Sequence, residues 1–343
     1  MTASLQRNDG RPRVSIGLPV YNGDRFVARA VESVLAQTYT DFELIISDNA
    51  SEDETADICQ RYARGDSRIR YDRNDYNIGQ IANVNRVFEL ARGEYFKWVG
   101  YDDWLEPNLL EETVAALDRN PQAVLVTCYQ KHYEDNGQWH YAEYTGPRVD
   151  SPDAAERFRR MLWFLRNSRY LLDPLYGLMR ARALRQTGML RPMLGCDRLL
   201  AVELSLLGPF CHVPKGLQHR RVTPEMEACE RLRWFAPQGG LSHNTFAGWC
   251  RMASSVLQSA PIPLLEKARC RGALLDLFLR TESRRVRHWC SRRPLLRAIH
   301  RSARAIVRRR EPVGQPAPEA DDESGRCGAP TAVSYPRAGP RCP

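Results

Sequence analysis

Apolar residues in the first third of the chain alternate between short continuous runs and runs spaced at helical intervals. Residues 14–18 form the first continuous run, and Val27, Ala30, Val31 and Val34 then recur on one face of a helix. The same alternation predicts strands at 42–46, 69–71, 95–99 and 124–129, and helices at about 52–63, 81–91 and 110–117. Strands that alternate with helices are typical of an α/β fold, so we predict a central mixed, mainly parallel sheet.

Turn and cap residues mark the ends of several of these elements. Pro19 is expected to separate the first strand from the first helix, and Gly93 to close the third helix. Ser51 and Glu54 have the spacing of a capping box, which predicts that the second helix starts at Glu52. Further along, a hairpin turn is predicted at 136–137, with helices at 154–167 and 197–207.

Changes in composition divide the chain into four predicted segments. Residues 1–12 are a polar N-terminal tail, and 13–224 form the α/β domain. Residues 225–310 are predicted to be a mostly helical C-terminal extension, with breaks near Gly239 and Pro261. Residues 311–343 are rich in Pro, Gly, Ala and acids without periodicity, so we predict a disordered tail.

Composition and charge narrow the class of protein. The 343 residues include 43% apolar and 27% charged positions, which excludes a wholly disordered chain. The net charge of +9 is local, because 284–310 hold 11 arginines and no acid, which leaves −2 on the rest. We therefore expect no nucleic-acid partner for the main domain. The sequence shows no membrane span and no secretory signal, and its ten cysteines are scattered, which together predict a cytoplasmic protein with reduced thiols.

Two adjacent acids, Asp102 and Asp103, follow the fourth predicted strand. Open α/β sheets bind their ligands at the carboxyl ends of the strands. Adjacent carboxylates can hold Mg²⁺ or Mn²⁺ while the ion binds a substrate diphosphate. The alternative is an N-cap for the helix that follows Pro107.

Other polar residues follow the first three strands. Pro19, Tyr21 and Asn22 offer an aromatic face to a nucleobase, and Asp48 with Asn49 offers hydrogen bonds to its ring edge. The alternatives are a strand-to-helix turn and an Asx turn. Three residues, Asn77, Gly79 and Asn85, lie at the start of the third helix, whose positive end suits a phosphate or a ribose.

A third group of candidates lies in the second half of the α/β domain. Asp197 starts an apolar helix, where it is either a general base aimed at a hydroxyl group or an N-cap. His219, Arg220 and Arg221 follow a predicted strand, where they either neutralise a leaving diphosphate or form a solvated basic face.

These motifs, in this order, resemble the family 2 inverting glycosyltransferases with the GT-A fold. The resemblance is strong over about 13–120, becomes looser to about 224, and rests on residues 14–22, 31–39, 48–51 and 77–79 and on Asp102-Asp103 ahead of Pro107. It implies a GT-A type nucleotide-binding domain, a nucleotide-diphosphate sugar donor, a divalent cation (Mg or Mn), and a glycan or lipid-linked acceptor.

The resemblance also implies roles for individual residues. Pro19, Tyr21 and Asp48 would hold the base, and Asp102 matches the last aspartate of the DxD-type motif, with Asp103 beside it. Asp197 matches the catalytic base.

This sequence departs from the family pattern at three positions. Gly100 replaces the motif's first acid, Cys196 replaces an acid before Asp197, and Thr223 stands where a metal-binding histidine is expected.

The implied reaction is an in-line displacement at the anomeric carbon, in which Asp197 takes the acceptor proton. A nucleotide-sugar-binding protein without turnover is the alternative favoured by the three departures. A dehydrogenase is disfavoured, because the first strand lacks a Gly-x-Gly-x-x-Gly turn. A membrane-surface adaptor would explain the Arg-rich end but would leave the acidic clusters without a role.

Residues 284–310 contain a predicted amphipathic helix. Apolar residues fall on one side and arginines on the other; the latter are Arg297, Arg301, Arg304 and Arg308. We predict that this helix rests on the anionic inner face of the membrane. The alternative is a helix packed on the catalytic domain with its arginines in solvent.

Overall fold

A computed structural model describes residues 10–134, 137–144, 146–167, 174–221 and 245–291, with side chains in the last stretch described to Thr281. By contacts the chain divides into two units, Met1–Phe278 and Leu279–Pro343. The described part of the second unit is helical and ends at Ser291. No helix of the described ranges is long and apolar enough to cross a membrane.

The described residues form one sheet with helices on both faces. Its strands are β1 Val14–Val20, β2 Phe42–Asp48, β3 Ile69–Arg73, β4 Tyr95–Trp98, β5 Trp104–Leu105, β6 Leu125–Tyr133, β7 Trp139–Ala142, β8 Leu178–Arg180 and β9 Phe210–Arg221. The helices are α1 Val27–Leu35, α2 Thr55–Gly65, α3 Gln80–Glu89, α4 Leu109–Arg119, α5 Ala154–Asn167, α6 Ala181–Leu184, α7 Cys196–Leu207, α8 Phe246–Ser259 and α9 Leu264–Ser291.

The parallel part of the sheet brings the first polar clusters to one edge. Its strand order is β3-β2-β1-β4, and Val20 pairs with Asp48, which pairs in turn with Arg73. β4 ends beside Gly17, so the residues after it enter the same edge. The carboxyl ends of four strands therefore lie together.

The other part of the sheet returns distant residues to this edge. β8 joins β4 to β6 by antiparallel pairing, and β6 pairs in parallel with the long strand β9. β5 pairs antiparallel with β9, which puts Trp104 opposite His219. The mixed, mainly parallel sheet with a helical C-terminal region is confirmed; the short strands β5 and β8 were not predicted.

The core has two halves, one on each face of the sheet. Leu44 and Ile46 of β2 pack in the half that contains α1, α2 and α4, whereas Ile45 between them packs with α3, α5, α7 and α8. Alternate residues of this strand point to opposite faces, and both faces are covered, so its apolar residues form a continuous run.

Four local expectations are wrong. Gly93 does not close the third helix, because α3 ends at Glu89 with Leu90 as its C-cap residue. Pro19 lies inside β1, where it pairs with Ser47, and does not end the strand. The second helix starts at Thr55, and the hydroxyl of Ser51 accepts a hydrogen bond from the backbone N–H of Asn22, so no capping box forms. The residues before Thr55 form the loop that ties β1 to β2. The later start still places the apolar residues of α2 in the core.

Several predicted elements are confirmed, and others lie outside the described residues. The helix over Ala154–Asn167 and the break between α8 and α9 at Pro261 are confirmed, and β6 and β7 pair as a hairpin. Asn136 of its turn and the predicted break at Gly239 lie outside the described residues, as do most of 1–12 and all of 311–343. The proposed segment boundaries stay predictions.

A buried carboxylate, Glu43, ties β1, β2 and β3 to the loop before β4. Its Oε1 accepts hydrogen bonds from the Ser15 hydroxyl (2.6 Å) and the Arg92 backbone N–H (2.9 Å), and its Oε2 accepts from the guanidinium groups of Arg92 (2.8 Å) and Arg70 (3.0 Å). Burial opposes ionisation, but these hydrogen bonds, led by that from Ser15, hold the pKa of Glu43 below its ordinary value.

We predict that Glu43→Gln destabilises the fold by about 1–3 kcal/mol at pH 7.5, because it removes charge-assisted hydrogen bonds in a buried site. A lowered carboxyl pKa stabilises the fold above the unfolded pKa, and that contribution is lost as the pH falls through the folded pKa. Thermal melts from pH 7.5 to 3.5 should therefore show the difference shrinking at low pH. Exposed Glu52→Gln is the control, and a difference independent of pH would contradict the ionic role.

Candidate active site

Asp48, the last residue of β2, is fully buried and fully engaged with neighbouring residues. One oxygen accepts the backbone N–H of Ser51 (2.9 Å), and the other accepts the Tyr71 hydroxyl (2.7 Å) and the Arg73 guanidinium (3.0 Å). Burial, and then the hydrogen bond to Asp48, raise the pKa of Tyr71. Asp48 thus shapes the edge; its contact with a nucleobase stays a prediction.

The turn after β1 is fixed to the turn after β2. The Asn22 side chain accepts the N–H of Glu52 (2.9 Å), with Asn22 at a φ of 48°. Tyr21 is half-buried at the start of this turn, and Pro19 is half-buried within β1. These residues lie at the strand edge as predicted, and their roles toward a base are untested by the geometry alone.

Asn77 and Gly79 form the entry to α3. The Asn49 side-chain amide donates to Asn77 Oδ1 (2.8 Å), which also accepts the N–H of Gly79 (2.9 Å). Gly79 has a φ of +88°, a conformation that favours glycine. The predicted ribose or phosphate residues therefore meet the Asp48-Asn49 loop at one place.

Asn85 was predicted to face a phosphate or ribose at the start of this helix, but its side chain contacts the backbone of Leu190. Its side chain donates to the Leu190 carbonyl (2.9 Å) and accepts the Leu190 N–H (3.2 Å), as a neighbouring strand would. It therefore anchors the segment before α7 to α3, and its polar groups are used in that contact.

Asp102 and Asp103 lie in the turn between β4 and β5, and Gly100 makes room for both. A Cβ at Gly100 would lie 2.8 Å from Asp103 Oδ2 and 3.2 Å from Asp102 Oδ1. Any side chain at this position would force a carboxylate to move. The glycine in place of the motif's first acid thus leaves the space into which the two carboxylates fold back.

The Asp103 carboxylate is buried in a way that opposes its charge. Burial raises the pKa of Asp103 to about 6, although Arg220 counteracts it, and burial also raises the pKa of Asp102. Asp103 Oδ1 accepts the backbone N–H of Arg221 (3.2 Å). Asp103 Oδ2 is 3.6 Å from Arg220 Nε, too long for a hydrogen bond, and no described residue donates one to it.

These two carboxylates fit a divalent cation that is shared with a substrate. A buried carboxylate oxygen without a donor is a hard oxygen ligand, and Mg²⁺ uses one or two carboxylates together with phosphate oxygens and water. Within the described ranges no cluster of three or more His, Cys, Asp or Glu residues could hold a metal alone. Thr223, where a histidine was expected, lies outside those ranges.

β9 brings Arg220 and Arg221 to the two acids, as the predicted diphosphate site requires. The Arg220 guanidinium lies 3.8 Å from the centre of the Tyr176 ring, and that of Arg221 lies 4.2 Å from the Phe26 ring. Both arginines belong to the strand and do not follow it. The aromatic rings orient the two cations without neutralising them.

His219 does not belong with these arginines. Its ring is hydrogen-bonded to Glu106 (2.7 Å) and to the Tyr133 hydroxyl (3.1 Å), and it stacks on Trp104. Burial lowers the pKa of His219 despite Glu106. The expectation that it binds the diphosphate is wrong, because both ring nitrogens are engaged by Glu106 and Tyr133, partners that no local pattern reveals.

Lys97 is a buried cation that the sequence pattern did not identify. In the middle of an apolar strand, its Nζ donates to Gln218 Oε1 (3.0 Å) and to the Tyr176 carbonyl, and its charge lowers the pKa of Asp103. A lysine flanked by Phe96 and Trp98 is the one available signal.

Asp197, the predicted alternative N-cap, lies instead in the first turn of α7, two residues after the observed N-cap. Gly195 is the N-cap residue, with a φ of +74°, and the described residues provide no hydrogen bond to the Asp197 carboxylate. The N-cap alternative is therefore wrong. The indole N–H of Trp249 in α8 donates to the Gly195 carbonyl (3.2 Å), so the helical extension fixes the start of α7.

α7 is also linked to the acidic pair. The 3-10 turn Pro174–Tyr176 packs against α7 and β4, and the Tyr176 ring lies under Arg220. The site thus collects the ends of four parallel strands and the end of β9, and the 3-10 turn connects it to α7.

Comparison with known proteins agrees with this geometry. The family model described as glycosyl transferase family 2 matches residues 15–191. The chain belongs to glycosyl transferase family 2. The match ends before Asp197, and it excludes the two arginines and Trp249.

Curated relatives of this glycosyltransferase family match only in part. The chain is 34% identical to the putative glycosyltransferase EpsH of Bacillus subtilis over 37% of this chain and 36% of that protein. It is 27% identical to glycosyltransferase GlyG of Streptococcus pneumoniae over 37% and 42%. The Escherichia coli chondroitin synthase is 26% identical over 64% and 30%. The chain thus spans less than half the length of these relatives.

Solved structures confirm the GT-A fold. TarS 1–349 of S. aureus superposes with a TM-score of 0.55 at 19% identity, covering 77% of this chain and 71% of that chain. The same protein in complex with UDP-GlcNAc gives a TM-score of 0.56 at 18% identity, over 77% and 72%.

We predict that Asp103→Asn raises the melting temperature at pH 7.5 by roughly 2–4 °C, because it removes a buried charge. A carboxyl whose folded pKa lies above its unfolded value stabilises the fold more as the pH falls from about 6 to below 4. The gain should therefore vanish near pH 3.5. Exposed Asp75→Asn serves as the control, and a melting temperature below that of wild type at pH 7.5 would show that ionised Asp103 stabilises the fold.

Proposed function

We propose that this chain is an inverting, cation-dependent glycosyltransferase that moves a sugar from a nucleotide-diphosphate donor to a hydroxyl acceptor in glycan biosynthesis. The observation that carries the proposal is the donor-free buried oxygen of Asp103, beside Asp102 and within reach of Arg220 and Arg221. The TarS structures in complex with UDP and with UDP-GlcNAc support a nucleotide-sugar donor.

The donor would lie along the carboxyl ends of the strands. Tyr21, with Pro19 and Asn22, would cover the base, and Asp48 would hold the loop that reads its edge. Asn77 and Gly79 would face the ribose or a phosphate at the positive end of α3.

The diphosphate would lie at the acidic pair. Asp102 and Asp103 would hold a divalent cation, which supplies positive charge to the departing diphosphate when bound. Arg220 and Arg221 would add fixed positive charge at the same place.

Asp197 would accept the proton of the attacking hydroxyl. Its carboxylate is half-buried and has no hydrogen-bond donor among the described residues, so it can accept a proton without first breaking a contact. One carboxylate suffices for a single displacement at the anomeric carbon, which inverts the configuration.

A nucleotide-sugar-binding protein without turnover is the second candidate. Cys196 and Thr223 favour it, since both replace groups that the family pattern expects to be polar or metal-binding. Gly100 no longer supports it, because the two carboxylates fold over that glycine.

The decisive experiment incubates the full chain with UDP-, GDP- and dTDP-sugars and Mn²⁺ and measures nucleotide release. We predict that Asp197→Asn reduces release by about 100-fold or more, because the proton acceptor is lost, while donor affinity changes little. The control is Asp57→Asn, since Asp57 is also an acid in the first turn of a helix. EDTA should abolish release by wild type. Normal release by Asp197→Asn would assign the base elsewhere, and no release from any donor would favour the binding protein.

We further propose that residues 284–310 bring the protein to the anionic inner face of the cell membrane, where a lipid-linked or surface glycan would be its acceptor. α9 carries the first part of this segment as helix to Ser291. The remainder lies outside the described residues, so the amphipathic pattern in the sequence supports this proposal.

Flotation with liposomes tests the membrane proposal. Full-length protein should float with anionic vesicles at low salt. It should float less at 0.5 M salt, because the Debye length falls to roughly 4–5 Å and the attraction between arginines and lipid weakens. Replacement of Arg297, Arg301, Arg304 and Arg308 by glutamine should abolish flotation, whereas replacement by lysine should preserve it. Equal flotation of the glutamine and wild-type proteins would favour the packed-helix alternative.

A further inference from the structure

The hairpin β6–β7 carries an aromatic surface that the reaction at the acidic pair leaves unused. Tyr133 on β6 pairs with Trp139 on β7, and Lys131 pairs with Tyr141, so these four side chains share one face of the hairpin. Trp139 is 54% exposed and Tyr141 is 39% exposed. Large aromatic side chains cluster at such exposure where a protein binds a ligand.

The rings form a continuous row from the core to the edge. Successive ring centres lie 4.8 Å apart from Trp104 to Tyr133, 6.4 Å from Tyr133 to Trp139, and 5.8 Å from Trp139 to Tyr141. We call these four residues the aromatic row. Its inner end is a fixed support, because Tyr133 is hydrogen-bonded to His219 and Trp104 lies between that histidine and the Arg29 guanidinium, 3.4 Å from its ring centre. The ring faces open to a ligand are therefore those of Trp139 and Tyr141 at the outer end.

The aromatic row starts at the candidate active site. Tyr133 pairs across the sheet with Arg221, whose backbone N–H is bonded to Asp103. Trp139 lies one strand further out, so it is about two strand spacings, roughly 10 Å, from Arg221. A molecule that lies on the row can therefore reach toward the acidic pair with one of its ends.

We propose that the aromatic row is the acceptor subsite and that it binds the pyranose rings of a neutral glycan. This inference rests on the proposed glycosyl transfer. A pyranose ring has a face of C–H groups polarised by neighbouring oxygens, and the negative face of an aromatic ring attracts them. Polar groups between the rings suit its hydroxyls: Lys131 lies over the Tyr141 ring and beside Glu106.

The exposed charges at the ends of the hairpin favour a glycan over a membrane, whereas the cations Arg29 and Lys131 lie against rings of the row. Glu134 and Glu143 are exposed at the two ends of the hairpin, and Gln138 is exposed next to Trp139. Acidic side chains oppose contact with anionic lipid, in contrast to the arginines of 284–310. A protein partner that pairs with the edge strand β7 is the remaining alternative, and the experiment includes it as an outcome.

The test uses the full chain on an array of neutral hexose and N-acetylhexosamine oligosaccharides. Wild type should bind at least one of them, and Trp139→Ala should weaken that binding roughly tenfold or more, as loss of one aromatic contact predicts. Trp139→Phe should restore most of it. The control is Trp163→Ala, which removes a tryptophan of similar exposure (40%) from α5.

With the bound oligosaccharide as acceptor, Trp139→Ala should raise its KM by a similar factor. Binding to no oligosaccharide, or equal binding by Trp139→Ala and wild type, would overturn the proposal. The proposal would also be overturned if Trp139→Ala weakened only vesicle flotation or only self-association and left oligosaccharide binding unchanged. Donor hydrolysis by wild type, measured in parallel, tells failure of this proposal from failure of the proposed function.

Discussion

The carboxylate of Asp103 is shut away from water at the edge of the sheet, and its negative charge requires positive charge close by. Lys97 and Arg220 supply it from two different strands. Lys97 is itself buried and is held by Gln218 on β9. The long return of β9 alongside β6 is therefore what makes an ionised acid possible at this place, since the strand carries both Gln218 and Arg220. An apolar edge would be more stable, so the arrangement is one that a function must maintain.

Many polar residues at the edge serve one another before they serve a ligand. Asp48 orders Ser51, Tyr71 and Arg73, and the Asn49 amide orders the entry to α3. Asp48, Asn49 and Ser51 are buried after the parallel strands, so their polar groups must find protein partners. The result is an edge whose shape is set before any ligand arrives, which reduces the entropy lost on binding.

The sequence was sufficient for the parallel part of the fold because that part is built from local patterns. The apolar run at 42–46 and the helical spacing from Val27 to Val34 indicate which side chains are buried, and neither pattern depends on residues far away in the sequence. Where the outcome depended on pairing between distant strands, local patterns failed. His219 looked like a neighbour of Arg220 in function, but its partner Glu106 is far away in sequence. The short strand β8 is readable only once β4 and β6 are in place.

At the candidate site, too, local patterns were informative and contacts between distant residues were not. Asp102 and Asp103 could be predicted as site residues because adjacent acids after a strand are a local signal. Lys97 carries almost none, and the reason for Gly100 appears only when the two carboxylates are seen to fold back over it. Ser51 shows the opposite error, since a correct capping pattern was overridden by a tertiary contact with Asn22.

The hydrogen bond from Trp249 to Gly195 bears on where the folded domain around the candidate site ends. The family match stops at residue 191, and a boundary drawn there, or at the close of β9, would treat α8 as an appendage. Yet α8 lies against α7 and holds its first carbonyl, two residues before Asp197. A substitution that loosens α8 would therefore shift the helix start that carries Asp197, so the extension controls the position of a proposed site residue from outside the segment that defines the family.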